Sequence, residues 1–377
     1  MIIVIPKEAY PGKTRAALVP EHVSKLTALG ATVEVESGLG ATCGHTDAEY
    51  SAAGATVRAD RAAMLAAGDV VLQVRKPSLS EASVMREGTL LVGLLDPFQS
   101  PELVKALAAG GVSAISMEMV PRSTRAQKMD VLSSQASLAG YAAVIAAAEY
   151  SGKVFPMMMT PAGTIKPVKV FVIGAGVAGL QAIATARRLG AKVEAFDTRP
   201  IVEEQVKSLG AKFVKIDVGE TGQTSDGYAK PLTEAQIKLQ REGMKRVCAE
   251  SDVVITTAQV FGRRAPILLT GEMLDAMMTG SVVVDLAVES GGNVEGVVAD
   301  QIIDHKGVKI VGIANLPGRV AVHASQMYSS NVTALLTEFW DKDTKSLKLN
   351  LDDDILKSCL VTHGGKIMND KLLTAIP

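Results

Sequence analysis

The 377-residue chain has few of the features that would place it in several large protein classes. Its three cysteines, Cys43, Cys248 and Cys359, lie far apart and form no CxxC pair. A disulfide framework is excluded, and a reducing compartment is the expected setting. Charge of one sign is also lacking: 39 basic against 40 acidic residues leave a net charge of −1, with no dense basic block. Nucleic acid and anionic membrane surfaces are therefore not expected partners. No run of about 18 uncharged apolar residues stands out, so no membrane span is expected. The opening MIIVIPKE lacks a basic region followed by a long apolar stretch, so no signal peptide is expected. Histidines and cysteines show no ligand spacing, and the adjacent acids Asp352–Asp354 cannot all face one ion, so no metal site is expected.

What is present is a core-forming composition and one strong motif. Hydrophobic residues make up 47% of the chain, enough for two domains with sizeable cores. Val168–Asp197 reads VKVFVIGAGVAGLQAIATARRLGAKVEAFD: strand, glycine turn, helix, strand, acid. That is the full context a dinucleotide fingerprint requires. Gly174 permits the tight turn, Gly176 lets the backbone approach a pyrophosphate, and Gly179 lets the helix pack on the strand. Ala175, Val177 and Ala178 lie between them, and the helix start offers N–H groups to phosphate. Asp197, about 20 residues past the turn, is placed to accept from the ribose hydroxyls. Its charge opposes a 2′-phosphate, which favours NAD(H) over NADP(H). Thr198 and Arg199 complete this strand end, and Arg199 softens the charge argument.

Short β-rich runs alternate with helical stretches along the whole chain. Strands are expected at Ile2–Ile5, Thr32–Glu36, Val70–Val74, Thr89–Leu95 and Val112–Met117, then at Val168–Ile173, Lys192–Phe196, Lys212–Lys215, Val253–Thr257, Ser281–Leu286 and Lys309–Ile313. Such alternation predicts an α/β fold of two doubly wound, parallel-sheet, Rossmann-like domains with a cleft between them. The Ala-rich stretch Ser133–Ser151 reads as a long helix at the domain boundary, and His323–Trp340 as a second, returning one. The expected division is residues 1–132 with 322–377 as an N-terminal domain completed by the C-terminal segment, and 133–321 as the NAD(H)-binding domain. The polar loop Asp217–Pro231, with Gly219, Gly222, Gly227 and Tyr228, is either a surface excursion or a lid.

Several segments carry a family pattern: Ile5–Pro20 (IPKE…TRAALVP), Pro121–Tyr141 (PRSTRAQKMDVLSSQASLAGY), the glycine turn with its helix, Asp226–Lys230 (DGYAK) and Val283–Asn293 (VVDLAVESGGN). Over essentially its whole length the chain resembles the NAD(H)-binding subunit of proton-translocating nicotinamide nucleotide transhydrogenases, which is similar in turn to alanine dehydrogenase. The resemblance implies that Arg122, Gln127 and Asp130 lie near the nicotinamide, that Ser133 contacts its carboxamide, and that Tyr228 belongs to a mobile loop. The chemistry of those groups suits such roles, because an arginine donates to a carboxamide oxygen and a carboxylate or hydroxyl accepts from its nitrogen. It further implies direct hydride transfer to NADP⁺ on a partner subunit, a membrane-spanning partner that couples the transfer to proton movement, a homodimer, and a cytoplasmic position peripheral on the membrane.

The alternative is an amino-acid dehydrogenase of the alanine type. Its chemistry needs an acid/base group and a clamp for the substrate carboxylate. Arg15 matches the family's arginine. Arg75 stands at the lysine position, with Lys76 adjacent. Gly93 is read at the histidine position, and none of His22, His45, His305, His323 or His363 falls in that strand. Glu289 stands at the aspartate position. The frame is kept while its proton carrier is missing, which favours the transhydrogenase reading over both the dehydrogenase and a catalytically silent NAD(H) sensor.

Overall fold

In a computed structural model of the chain, the described residues are 1–10, 12–219, 221–222 and 232–375. They divide into two compact units, Met1–Gln135 with Gly318–Pro377, and Ala136–Pro317. The division falls within the long helix Val131–Ser151.

The first unit is built on an eight-stranded sheet. Its parallel strands run, in spatial order, Thr56–Arg58, Thr32–Glu36, Ile2–Ile5, Val70–Arg75, Leu90–Leu94 and Ser113–Ser116. Numbered along the chain this is 3-2-1-4-5-6, the doubly wound order, with its reversal between Ile2–Ile5 and Val70–Arg75. Ile3 and Ile5 enter one core while Val4 enters the core on the opposite face, as the period of two requires. Leu360–His363 pairs antiparallel with Ser113–Ser116, so the C-terminal segment extends this sheet. Helix Ala321–Glu338 joins it as well: the Ser325 and Ser329 hydroxyls accept the N–H groups of Ala16 and Val19 at 2.9 and 3.1 Å.

The second unit repeats the plan. Lys212–Phe213, Lys192–Phe196, Lys169–Ile173, Val253–Thr256, Val282–Asp285 and Val308–Gly312 are parallel in that spatial order, and Gln301–His305 adds an antiparallel edge. Val170 and Val172 face one core, Phe171 and Ile173 the other. Every residue of Val253–Thr256 and of Val282–Asp285 is buried, which is why these strands read as continuous rather than alternating apolar runs.

Three features depart from the sequence reading. Thr56–Arg58 and Gln301–His305 are strands at sheet edges, where residues on both faces stay exposed and no alternation shows. Met158–Thr160 and Gly163–Ile165 form a hairpin whose residues are all exposed. Helix Val131–Ser151 starts two residues before the expected Ser133, and by length and composition alone it could cross a membrane, contrary to the expectation that no such run exists. Ala, Gly, Ser and Gln dilute its hydropathy and hide it in the sequence. Its Ala142, Ala143, Val144 and Ala147 lie in the core of the second unit.

Candidate functional site

The glycine turn sits at the reversal point of the second sheet, between Lys169–Ile173 and Val253–Thr256. Its three glycines do three different jobs. Gly174 has a φ of +98°, a left-handed backbone that disfavours side chains. A Cβ at Gly179 would lie 1.8 Å from the Gly174 carbonyl oxygen, so the helix start packs where only glycine fits. A Cβ at Gly176 would meet nothing within 4 Å. That residue begins helix Val177–Arg188 as its N-cap and leaves the space above the first helical N–H groups open. An open, glycine-floored helix start fits a dinucleotide pyrophosphate. The Thr257 hydroxyl donates to the Gly174 carbonyl at 3.0 Å and fixes the turn from the neighbouring strand end. On the other side of the turn helix, Gly140 lets the long helix approach, since a Cβ there would lie 2.2 Å from the Ala178 carbonyl oxygen.

Asp197 follows directly on the next strand, Lys192–Phe196. Its carboxylate accepts from Ala175 N within the turn and from Arg199 N, both at 2.8 Å. It also accepts from Arg199 Nε at 2.9 Å and Nη2 at 2.8 Å. The structure thus adds an ion pair that the motif did not reveal, and the carboxylate raises the Arg199 guanidinium above its ordinary value. Thr221 donates to the Thr198 carbonyl at 2.6 Å, which anchors the stem of the polar loop beside this strand end. Tyr228 and Gly227 lie outside the described residues.

Glu289 is exposed in the turn Val288–Ser290 that follows strand Val282–Asp285. Four residues earlier, Asp285 is fully buried and accepts from Thr256 Oγ1, Ala287 N, Asn293 N and Val294 N. Burial pushes its carboxyl up from the ordinary carboxylate value. The Asn293 side chain bonds Ala258 N, Ala258 O and Pro266 O. Asp285 and Asn293 therefore tie together two loops at the carboxyl ends of the strands. Sequence reasoning missed this structural role because the bonds join loops far apart along the chain.

In the first unit, the segment Pro121–Asp130 separates anchors from presented groups. Ala126 and Met129 are buried in the core. Arg125 pairs with Glu338 and Asp353, both at 2.7 Å, and Asn331 donates to the Lys128 carbonyl at 2.8 Å. Arg122 and Gln127 are exposed on this anchored loop. Asp130 accepts from Ser133 N at 2.9 Å and from Ser133 Oγ at 2.6 Å, the geometry of a helix N-cap.

The residues matched to an amino-acid clamp are differently engaged. Arg15 is buried and donates to Gln135 at 2.7 Å. Arg75 lies over the Tyr10 ring, 6.0 Å from its centroid. Lys76 is held by Asp96 at 3.3 Å and Ser100 at 2.5 Å. Strand Leu90–Leu94 contains no histidine, and a Cβ at Gly93 would lie 2.9 Å from the Gln73 carbonyl oxygen. Beside these residues the Glu8 carboxylate accepts from Val74 N and Arg75 N at 2.7 and 3.1 Å.

Comparisons with known proteins cover both units. Residues 4–139 match the family "Alanine dehydrogenase/PNT, N-terminal domain", and residues 143–370 match "Alanine dehydrogenase/PNT, C-terminal domain". The chain is 45% identical to the first part of NAD(P) transhydrogenase subunit alpha of Rhodospirillum rubrum, over 99% of each chain. It is 43% identical to NAD(P) transhydrogenase subunit alpha of Cereibacter sphaeroides, over 97% of this chain and 71% of that one. A solved structure of transhydrogenase from Sinorhizobium meliloti superposes with a TM-score of 0.87 at 48% identity, covering 97% of this chain and 100% of the other. An L-alanine dehydrogenase structure superposes with a TM-score of 0.83 at 27% identity, covering 100% and 99%. Both share the two-domain Rossmann-like plan, and the chain belongs to the alanine dehydrogenase/PNT family, alongside the NAD(P) transhydrogenase alpha subunits.

Proposed function

We propose that this chain is the NAD(H)-binding subunit of a proton-translocating NAD(P)⁺ transhydrogenase. It binds NADH, and hydride passes directly to NADP⁺ held by a partner subunit. A membrane-spanning partner couples that transfer to proton movement. The chain itself acts as a homodimer, peripheral on the cytoplasmic face. The apolar exposed hairpin, with Met159 83% accessible, supports a further protein contact.

Bound NADH supplies the hydride from C4 of its nicotinamide. The protein's contribution is binding and positioning. The open helix start at Gly176 receives the pyrophosphate, and Asp197 accepts from the adenosine ribose. Arg122 donates to the carboxamide oxygen. Asp130 or Ser133 accepts from the carboxamide nitrogen, since each Asp130 oxygen takes one bond from Ser133 and keeps a further lone pair, and a hydroxyl oxygen is itself an acceptor. Fixing the carboxamide selects the ring face presented. Gln127, exposed on the same loop, bridges towards the second nucleotide. No proton is removed from either nucleotide, so no acid or base is required, and catalysis comes from orientation with water excluded.

One observation carries this reading over amino-acid oxidation: the strand Leu90–Leu94 offers Gly93 and no imidazole, while the dinucleotide turn is intact. The test mixes the purified chain with an NADP(H)-binding transhydrogenase subunit and follows reduction of an NADP⁺ analogue by NADH. Transfer in the mixture, with no alanine-dependent NAD⁺ reduction by the chain alone, is expected. No transfer together with robust oxidation of alanine overturns it.

A further inference from the structure

The carboxylate that recognises ribose is already saturated. Asp197 has two oxygens and about four acceptor positions. Four donors fill them: Ala175 N, Arg199 N, Arg199 Nε and Arg199 Nη2. The two backbone donors are fixed, one by the glycine turn and the other by the turn at Thr198. The two guanidinium donors belong to a long side chain and are the ones that can leave. The pair is well shielded, with side-chain exposures of 7% for Asp197 and 15% for Arg199, so the bidentate contact is stronger than a surface ion pair.

We infer that Arg199 is a specificity-determining residue that competes with the cofactor's ribose for Asp197. This inference rests on the NAD(H) reading above and deepens it. Ribose hydroxyls donate to a carboxylate, as the guanidinium does, so cofactor binding exchanges two N–H donors for two O–H donors. The guanidinium must swing away from Asp197 and carry its charge with it. Two consequences follow. Affinity for NADH is lower than an unmasked aspartate would give, which favours release after each turnover. Discrimination against a 2′-phosphate is also weaker than Asp197 alone would enforce, because the displaced guanidinium stands beside the position that phosphate would take. Arg199 thereby trades selectivity and affinity for exchange.

The test titrates the full chain with NADH and with NADPH by nucleotide fluorescence, at low and high salt. It compares wild type, Arg199→Ala and Arg199→Gln. For Arg199→Ala the ratio of NADPH to NADH dissociation constants is expected to rise about tenfold, the scale of one lost charge contact. NADH itself is expected to bind at least as tightly as to wild type. Arg199→Gln should fall between, and the difference should shrink at high salt. A ratio that is unchanged or lower, with NADH still bound by all three proteins, overturns the role of Arg199 and leaves the NAD(H) reading standing. Failure of the wild-type chain to bind NADH overturns the reading and this inference together.

Discussion

Two sheets with the same strand order end in opposite ways. Both units reverse direction between their first and fourth strands, which creates a crevice at the carboxyl ends in each. In the second unit that point holds the glycine turn. Its N–H groups start a helix, and a Cβ at Gly176 would touch nothing. In the first unit the corresponding point is filled by the protein's own side chains. Glu8 takes the N–H groups of Val74 and Arg75, Tyr328 donates to the Gln73 carbonyl at 2.7 Å, and Glu118 takes those of Leu95 and Asp96. The crevice is a property of the topology. Whether it receives a ligand depends on whether it is floored with glycine or packed with carboxylates and arginines.

The sharpest way to break this contrast is to fill the open end. Gly176→Val should lower NADH affinity by roughly 100-fold or more, the scale of about 3 kcal/mol of steric exclusion, while costing stability only about the 1 kcal/mol of a poorer helix cap. Isothermal titration and a melting curve on the same protein check both halves. A stability loss equal to that expected of Gly179→Val, whose Cβ would clash with backbone at 1.8 Å, would mean the turn is packed rather than open.

The presented residues of the first unit are expected to act on turnover rather than binding. Gln127→Asn shortens an exposed side chain that no core residue depends on. Hydride transfer should drop by about 100-fold, the cost of a misplacement near 1 Å, while NADH affinity stays within about twofold. A large affinity loss with normal turnover would assign Gln127 to binding instead. Asp197→Ala should weaken NADH binding by about 1–3 kcal/mol. Unchanged affinity would remove Asp197 from the ribose site.

The smallest effect probes the filled end. Burial raises the Glu8 carboxyl above its ordinary value of 4.5, against the pull of nearby Arg15 and Arg61. An acid raised in the folded state adds stability that is complete below the unfolded value and is lost as pH rises through the folded one. Glu8→Gln is neutral at every pH, so it should gain on wild type as pH increases. The difference in melting temperature, variant minus wild type, should be more positive at pH 7.5 than at pH 4. A difference independent of pH would show that Glu8 titrates normally.

The two ends also differ in how far they could be read from the sequence. The glycine turn is local: strand, three glycines, helix and acid lie within 30 consecutive residues, and the structure gives them that conformation. The buried parallel strands were equally plain because most of their residues are apolar. The edge strands Thr56–Arg58 and Gln301–His305 were not, since a strand exposed on both faces carries no period of two. What escaped at the sites was non-local. Glu8 meets Val74 across 66 positions, and Asn293 meets Ala258 across 35. The Arg199 pair escaped for another reason, because a motif names the carboxylate without saying what already occupies it. Pro121–Asp130 was legible only through its resemblance to a family, since nothing in its composition separates anchors such as Arg125 from exposed groups such as Arg122.

Direct hydride transfer from nucleotide to nucleotide, as proposed, passes through neither water nor a small substrate. NADH deuterated at both C4 positions, mixed with this chain, an NADP(H)-binding transhydrogenase subunit and NADP⁺, tests it directly. Mass spectrometry is expected to find one deuterium in each NADPH formed. Unlabelled NADPH, or deuterium delivered to an added 2-oxo acid and ammonia as labelled amino acid, would contradict it.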